Sequence, residues 1–274
     1  MGSNPTAGSE IFMKILLSTH ALSRLPLREV FAVSKELGFD GVELVLSWRT
    51  LLLGVGRTKK LSEEFGVPIL SVHQPIWHFP HTTKFMLRRL AAEARELGAS
   101  HVVVHASVFR IHPKQSLFAL VKQLERDYEL TIGLENGHVR YPEFPPRWTW
   151  YEPLLRSWID AHRFNVTLDV AKFEMGGGDP IGFFKAYHSY IPLVHLHGRR
   201  GRRIHLSLTD SRELIVPFLK ALRDHAYGGM ITLEVFPVRS RAGAAVSRHA
   251  FRTYTLAALR DEVEFTRSIL GRSS

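Results

Sequence analysis

The stretch Phe85–His105, FMLRRLAAEARELGASHVVVH, reads as a helix that hands the chain to a strand. Good helix formers with apolar residues at helical spacing run to Leu97, Gly98 suits the position just past a helix, and the β-branched run HVVVH follows. Pro26–Leu46, PLREVFAVSKELGFDGVELVL, repeats the pattern, with Gly38 as the stop and GVELVL as the strand. Working outward, β-branched or Leu-rich runs recur at KILLS from Lys14, GVELVL from Gly41, VPILSVH from Val67, HVVVH from His101, LTIGLE from Leu130, NVTLD from Asn165, PLVHLH from Pro192 and MITLEV from Met230. Helical stretches separate them, so strand and helix alternate and a parallel sheet is expected. About eight such units in 274 residues match an α/β fold of the (β/α)8 barrel type, whereas an open doubly wound sheet would carry a Gly-rich phosphate turn after the first strand. No such turn is there, and a long amphipathic segment from Ser247 to Leu270 is placed to close the ring.

No linker, low-complexity segment or repeat divides the chain, so residues 13–274 are expected to form one domain. Residues 1–12 read as a disordered leader or expression scar: MGSNPTAGSE is polar, lacks the basic and apolar blocks of a secretory signal, and precedes MKILLS at Met13. No apolar run is long enough to cross a bilayer, and the expectation is a soluble, cytoplasmic protein without a membrane partner. The chain has no cysteine, which excludes disulfides, Cys nucleophiles, zinc ribbons and iron–sulfur clusters. Any metal must be held by nitrogen and oxygen. A net charge of +10 would draw the protein toward phosphates on nucleic acid, a lipid surface or a small anionic substrate, and does not choose among them.

In barrels the chemistry is built at the C-terminal ends of the strands and the loops that follow. Those ends carry Glu43, His73, His105, Glu135, Asp169, His195, His197 and Glu234. Side chains alternate across a strand, and the alternation turns these groups inward: Thr131, Gly133 and Glu135 share a face, as do Asn165, Thr167 and Asp169, and Thr232 with Glu234. Carboxylates and imidazoles converging in so small a space would repel and be poorly solvated without something positive among them. A divalent cation answers both problems, and a nitrogen and oxygen donor set suits zinc or manganese.

These residues resemble the xylose-isomerase-like barrel superfamily, which includes endonuclease IV, sugar isomerases and 3-epimerases, and inosose dehydratase. The likeness runs through GFDGVEL (Gly38–Leu44), SVHQP (Ser71–Pro75), VVVHAS (Val102–Ser107), LENG (Leu134–Gly137), LDVAKFEMGGGDP (Leu168–Pro180), VHLHG (Val194–Gly198), HLSL (His205–Leu208) and TLEV (Thr232–Val235). Each is weak alone; their order and spacing carry the resemblance. It implies that Glu135, Asp169, His195 and Glu234 form one metal site, that His73 and His105 hold a further ion with the shared Glu135, and that His205 matches another nuclease ligand. Two departures stand out. The superfamily's Asp-x-x-His reads Asp169-Val-Ala-Lys172 here, and the acid before the later His is Arg203. Ammonium and guanidinium are not ligands, so a third nuclease site should be mostly emptied and one or two ions are expected.

The loop HGRRGRRIH places Arg199, Arg200, Arg202 and Arg203 beside the implied metal, either as a clamp for phosphate oxygens or as a solvated basic surface. Gly176–Gly178 either let backbone approach a ligand or lead flexibly into a helix capped by Asp179. Trp77 takes the place of an aromatic that in relatives follows His73 more closely, where Ile76 stands here. Tyr141, Trp148, Trp150 and Tyr151 read as packing residues or as a wall over a large flat substrate.

Two ions bridged by a carboxylate are the equipment for phosphoester hydrolysis. The first reading is therefore a metal-dependent phosphodiesterase on a phosphorylated small molecule, with HLHG and HLSL resembling cobamide-remodelling enzymes. The alternative is a sugar or sugar-phosphate isomerase or epimerase, with Glu135 and Glu234 as acid and base on opposite faces. Lys172, Arg199, Arg200, Arg203 and Trp77 are the expected substrate contacts in either case. An abasic-site DNA endonuclease stands third, and a barrel that binds a ligand or partner without catalysis fourth.

Overall fold

The computed structural model describes residues 13–75, 83–105, 115–137, 139–140, 148–149, 152–236 and 248–272. Eight parallel strands close into one barrel: β1 (Lys14–Ser18), β2 (Gly41–Val45), β3 (Ile69–His73), β4 (His101–His105), β5 (Thr131–Glu135), β6 (Asn165–Asp169), β7 (Leu193–Leu196) and β8 (Met230–Leu233). Each pairs with its sequence neighbours, and β8 returns to β1 with Leu16 opposite Thr232. All eight runs picked out by β-branched composition are barrel strands, and the fold is a single-domain (β/α)8 barrel. Among the described residues no helix is long and apolar enough to cross a membrane.

The surrounding helices are α1 (Leu27–Glu36), α2 (Trp48–Leu53), α3 (Val55–Phe65), α4 (Thr83–Leu97), α5 (Gln115–Tyr128), α6 (Glu152–His162), α7 (Val170–Met175), α8 (Pro180–Tyr187), α9 (Arg212–Asp224) and α10 (Arg248–Leu270). Gly38 and Gly98, the two stops read from the sequence, have φ of +67° and +79°, a region where a side chain would be strained. Asp179 caps α8 by accepting from the Ile181 amide, with Pro180 at the first helical position, as its sequence suggests. The C-terminal end of α10 ties down the start of the barrel: Arg272 donates to the Met13 carbonyl and to Asp40, whose carboxylate also accepts from the Ile15 amide.

Strand alternation sorts the buried residues into two sets. Outward-facing Ile15, Leu17, Val42, Leu44, Val102, Val104, Ile132, Leu134, Val166, Leu168, Val194, Leu196, Ile231 and Leu233 pack under the helices in one large apolar cluster. Inside the ring, Leu16, Val103 and Leu193 form a small separate one. The rest of the interior is polar and buried, with Ser18, Glu43, Ser71, His101, Thr167 and Thr232 below the mouth. Gly133 belongs to this interior, because a methyl group there would meet Thr167 Oγ1 at 2.4 Å and His101 Nε2 at 2.9 Å. A floor of polar groups is costly unless they bind one another, and here they orient the groups above.

Candidate active site

His73, His105, Glu135 and Asp169 are the last residues of β3, β4, β5 and β6, His195 lies one residue before the end of β7, and Glu234 follows β8. Their ligand atoms gather into three groups in which each lies within 4.8 Å of the others: His73, His105 and Glu135; Glu135, Asp169, His195 and Glu234; and His197, His205 and Glu234. The seven residues expected as ligands therefore meet at one mouth, and Glu135 is shared by the first two groups.

The first corner is prepared for a cation. His73 Nδ1 donates to the Gln74 carbonyl at 2.8 Å, which leaves Nε2 facing Glu135 Oε2 at 3.4 Å. His105 Nε2 lies 3.0 Å from the same oxygen, and its Nδ1 meets the Gln74 side-chain amide at 2.7 Å. The Gln74 amide nitrogen donates to Nδ1, so here His105 Nε2 carries the proton and donates it to Glu135, and an ion taking this nitrogen would displace that proton. Burial lowers the His105 imidazole below its ordinary value and keeps it neutral. Two imidazoles and one carboxylate with the mouth above them fit a divalent ion, and these are the residues that would hold it.

The second corner has the donors but also a resident cation. Asp169 ends β6 and caps α7, accepting from the Lys172 amide through Oδ1 at 2.9 Å. That turn swings the Lys172 side chain back over the mouth, where Nζ lies 2.6 Å from Asp169 Oδ2 and 2.7 Å from Glu135 Oε1. The ammonium is 17% exposed. Burial opposes its charge, but Asp169, Glu135 and Glu234 outweigh it and hold the lysine well above its usual range. Burial likewise opposes the charge on Glu135 and Asp169, and Lys172 leads the groups that keep both carboxyls well below theirs. A divalent ion on these oxygens would lie about 3 Å from the ammonium, a repulsion on the order of 10 kcal/mol at an effective dielectric of about 20. The second corner does not fit a divalent ion with Lys172 in this position.

His195 is fixed from below by Glu43, which the sequence shows as a strand-end acid but does not assign a task. Its Nε2 donates to Glu43 Oε2 at 3.1 Å, and the same oxygen accepts from Ser71 Oγ at 3.0 Å. Nδ1 is thereby aimed at Glu135 Oε1, 3.1 Å away, and Glu234 Oε2, 3.6 Å away. Burial works against charging His195, but Glu43 and Glu234 hold its value well above the ordinary one. Asn136 secures the neighbouring strand end, donating to the Asp169 carbonyl at 2.9 Å and accepting from the Asp169 amide at 2.8 Å.

In the third group His205 is joined by His197 and Glu234 and not by a residue at 172 or 203. His197 supplies the nitrogen instead: its ring centroid is 4.3 Å from that of His205, and its Nε2 lies 3.2 Å from Asp169 Oδ2. His205 has a left-handed backbone, φ +59°, stacks on Phe236 at 4.4 Å, and is pushed down to about 2 by burial and then by His197 and Lys172. His20, two residues beyond β1, packs edge-on against Phe236 at 4.9 Å on the same side of the mouth. Nothing in the sequence beyond its place after a strand marks it.

The basic loop forms an antiparallel ribbon, Gly198–Arg200 with Arg203–Leu206. Arg199 pairs with Glu174, Arg200 pairs with Asp210 at 2.6 Å, and Arg203 is exposed. These three do not converge on the ligand groups as a clamp. Trp77, Tyr141, Trp150, Tyr151 and the side chain of Trp148 lie outside the described residues.

A family model for the xylose isomerase-like TIM barrel matches residues 31–265. The chain belongs to that family. It is 35% identical to an uncharacterized protein of Mycobacterium tuberculosis over 268 residues, covering 84% of this chain and 91% of the other. In shape it is similar to an Escherichia coli 3-keto-D-glucoside 4-epimerase, with TM-score 0.65 and 18% identity over 94% of this chain and 100% of that one. It is similar too to a sugar phosphate isomerase/epimerase from Parabacteroides distasonis, with TM-score 0.64 and 17% identity over 96% and 97% of the two chains. At those identities the likeness to the two solved structures is one of fold. Within the family's barrel, the strand-end acids and imidazoles and Lys172 are the groups that meet at this member's mouth.

Proposed function

We propose that this barrel removes and returns a proton beside the carbonyl of a sugar-type small molecule, as an isomerase or epimerase. The observation that carries the reading is that two carboxylates, Glu135 and Glu234, both approach Nδ1 of His195, at 3.1 and 3.6 Å. The two solved relatives named for such reactions support it through shared fold.

Glu234 suits the base. Its Oε2 lies 3.6 Å from His195 and 3.8 Å from His205, both beyond hydrogen-bond length, which among the described residues leaves that oxygen open to a substrate C–H. Glu234 takes the proton next to a substrate carbonyl, and the electron pair moves onto the carbonyl oxygen to give an enediolate. Lys172, held charged, stabilises that oxygen without giving up its proton. Return of the proton to the former carbonyl carbon, with the hydroxyl proton passing from one substrate oxygen to the other, gives the isomer; the epimer requires a proton on the opposite face of the original carbon from a donor other than Glu135, which Lys172 holds ionised. A divalent ion on His73, His105 and Glu135 would supply polarisation of a second substrate oxygen.

The phosphodiesterase reading calls for two ions sharing Glu135. Its support is weaker, because Lys172 stands at one of the two corners and Arg199 and Arg200 are engaged by Glu174 and Asp210. Purified protein with manganese or zinc should introduce solvent deuterium beside the carbonyl of at least one ketose, keto-glycoside or ketose phosphate, and E234Q should abolish it. Phosphoester cleavage without exchange, on a panel that includes cobamides, would overturn the isomerase reading in favour of hydrolysis.

A further inference from the structure

We infer that Lys172 is a built-in cation that takes the place of the metal in the four-ligand corner, so that a divalent ion binds at His73, His105 and Glu135 instead. The inference concerns which cation sits where and holds whichever reaction the barrel performs.

The placement follows from atoms already described. Nζ is bonded to Glu135 Oε1 and Asp169 Oδ2, two of the four donors of the central corner, and Glu135 Oε1 is also the atom nearest His195 Nδ1. An ion coordinated there would need the same oxygen lone pairs. The backbone holds the start of the side chain beside this corner, the Lys172 amide being fixed by the Asp169 cap and α7 anchored by buried Val170, Ala171 and Phe173, so an ion there would have to displace Nζ from both carboxylates. The first corner uses the other carboxylate oxygen, Glu135 Oε2, with the two imidazoles. One carboxylate is thus divided between an ammonium and a metal. Lys172 supplies one positive charge between the carboxylates of Asp169 and Glu135, and a divalent ion in the first corner would face the two imidazoles and the other oxygen of Glu135.

Lys172 is accordingly a positioning residue for Glu135 as well as the local counter-charge. It presents Oε2 to the two histidines by holding Oε1.

The direct test is anomalous diffraction from crystals of the full chain soaked in manganese and, separately, zinc. One ion among His73, His105 and Glu135, with Nζ still bonded to Asp169, is expected. An ion among Glu135, Asp169, His195 and Glu234, or no ion in the first corner, would overturn the inference. In solution, equilibrium dialysis with elemental analysis should show one ion lost in H105A and retained in D169N. K172H, which places a neutral nitrogen at this position, should bind one ion more than the wild type; a folded K172H that binds no more would also overturn it. Deuterium exchange reads the reaction and metal count reads this inference, so failure of either is recognised separately.

Discussion

His101 offers a test of the barrel interior that does not depend on substrate or metal. It is 1% exposed, its Nε2 lies 3.2 Å from Thr167 Oγ1, and Nδ1 has no hydrogen-bond partner among the described residues. Burial pushes the imidazole down to about 4 from an ordinary 6.5. The folded value lies below the unfolded one, so stability from the neutral ring is whole above pH 6.5 and falls as acid protonates the unfolded chain first. The gap between about 4 and 6.5, at about 1.4 kcal/mol per unit, amounts to about 3 kcal/mol lost by pH 4, with about 2 kcal/mol of it gone at pH 5. Urea unfolding of the wild type and His101→Gln, at about pH 7.5 and about pH 5, isolates this contribution, because Gln can keep a donor near Thr167 and does not titrate. The variant should be the less stable protein at the higher pH, and its deficit should shrink by about 2 kcal/mol at the lower one. A deficit that stays constant between the two would refute the assignment of a neutral, buried imidazole.

Gly133→Ala puts a methyl 2.4 Å from Thr167 Oγ1 and 2.9 Å from His101 Nε2, so a loss of about 1–3 kcal/mol in urea unfolding is expected. Asn136→Ala removes both bonds to the Asp169 backbone, and should cost about 1–3 kcal/mol while lowering deuterium exchange through a displaced Asp169–Lys172 pair. An unchanged exchange rate in a measurably destabilised variant would show that the pair keeps its position without Asn136.

The strands were legible because β-branched runs separated by helices carry a period that the sequence reveals, and the inward-facing groups because alternation at the ends of seven strands leaves little freedom. What the sequence could not give was the division of labour among the inward groups. Glu43 has the same residue type and parity as Glu135, yet it lies beneath the mouth and holds His195 from below, an outcome of strand stagger and of the register shift between Val42 and Glu43. His197 follows β7 in a position the alternation does not fix, and its approach to His205 depends on the ribbon turning the chain back.

Lys172 shows the same limit more sharply. Read as a substitution, it removes an imidazole and empties a site; read in three dimensions, it fills that site with charge. The difference comes from Asp169, which is at once the last residue of β6, the cap of α7 and a carboxylate of the mouth. A cap receives the amide three residues on, so a side chain at that third position begins next to the capping carboxylate. A histidine there would reach its own ring's length toward the mouth, and the longer, flexible lysine returns to the carboxylate and bridges on to Glu135. The local rule that starts the helix is therefore what delivers the ammonium to the four-ligand corner.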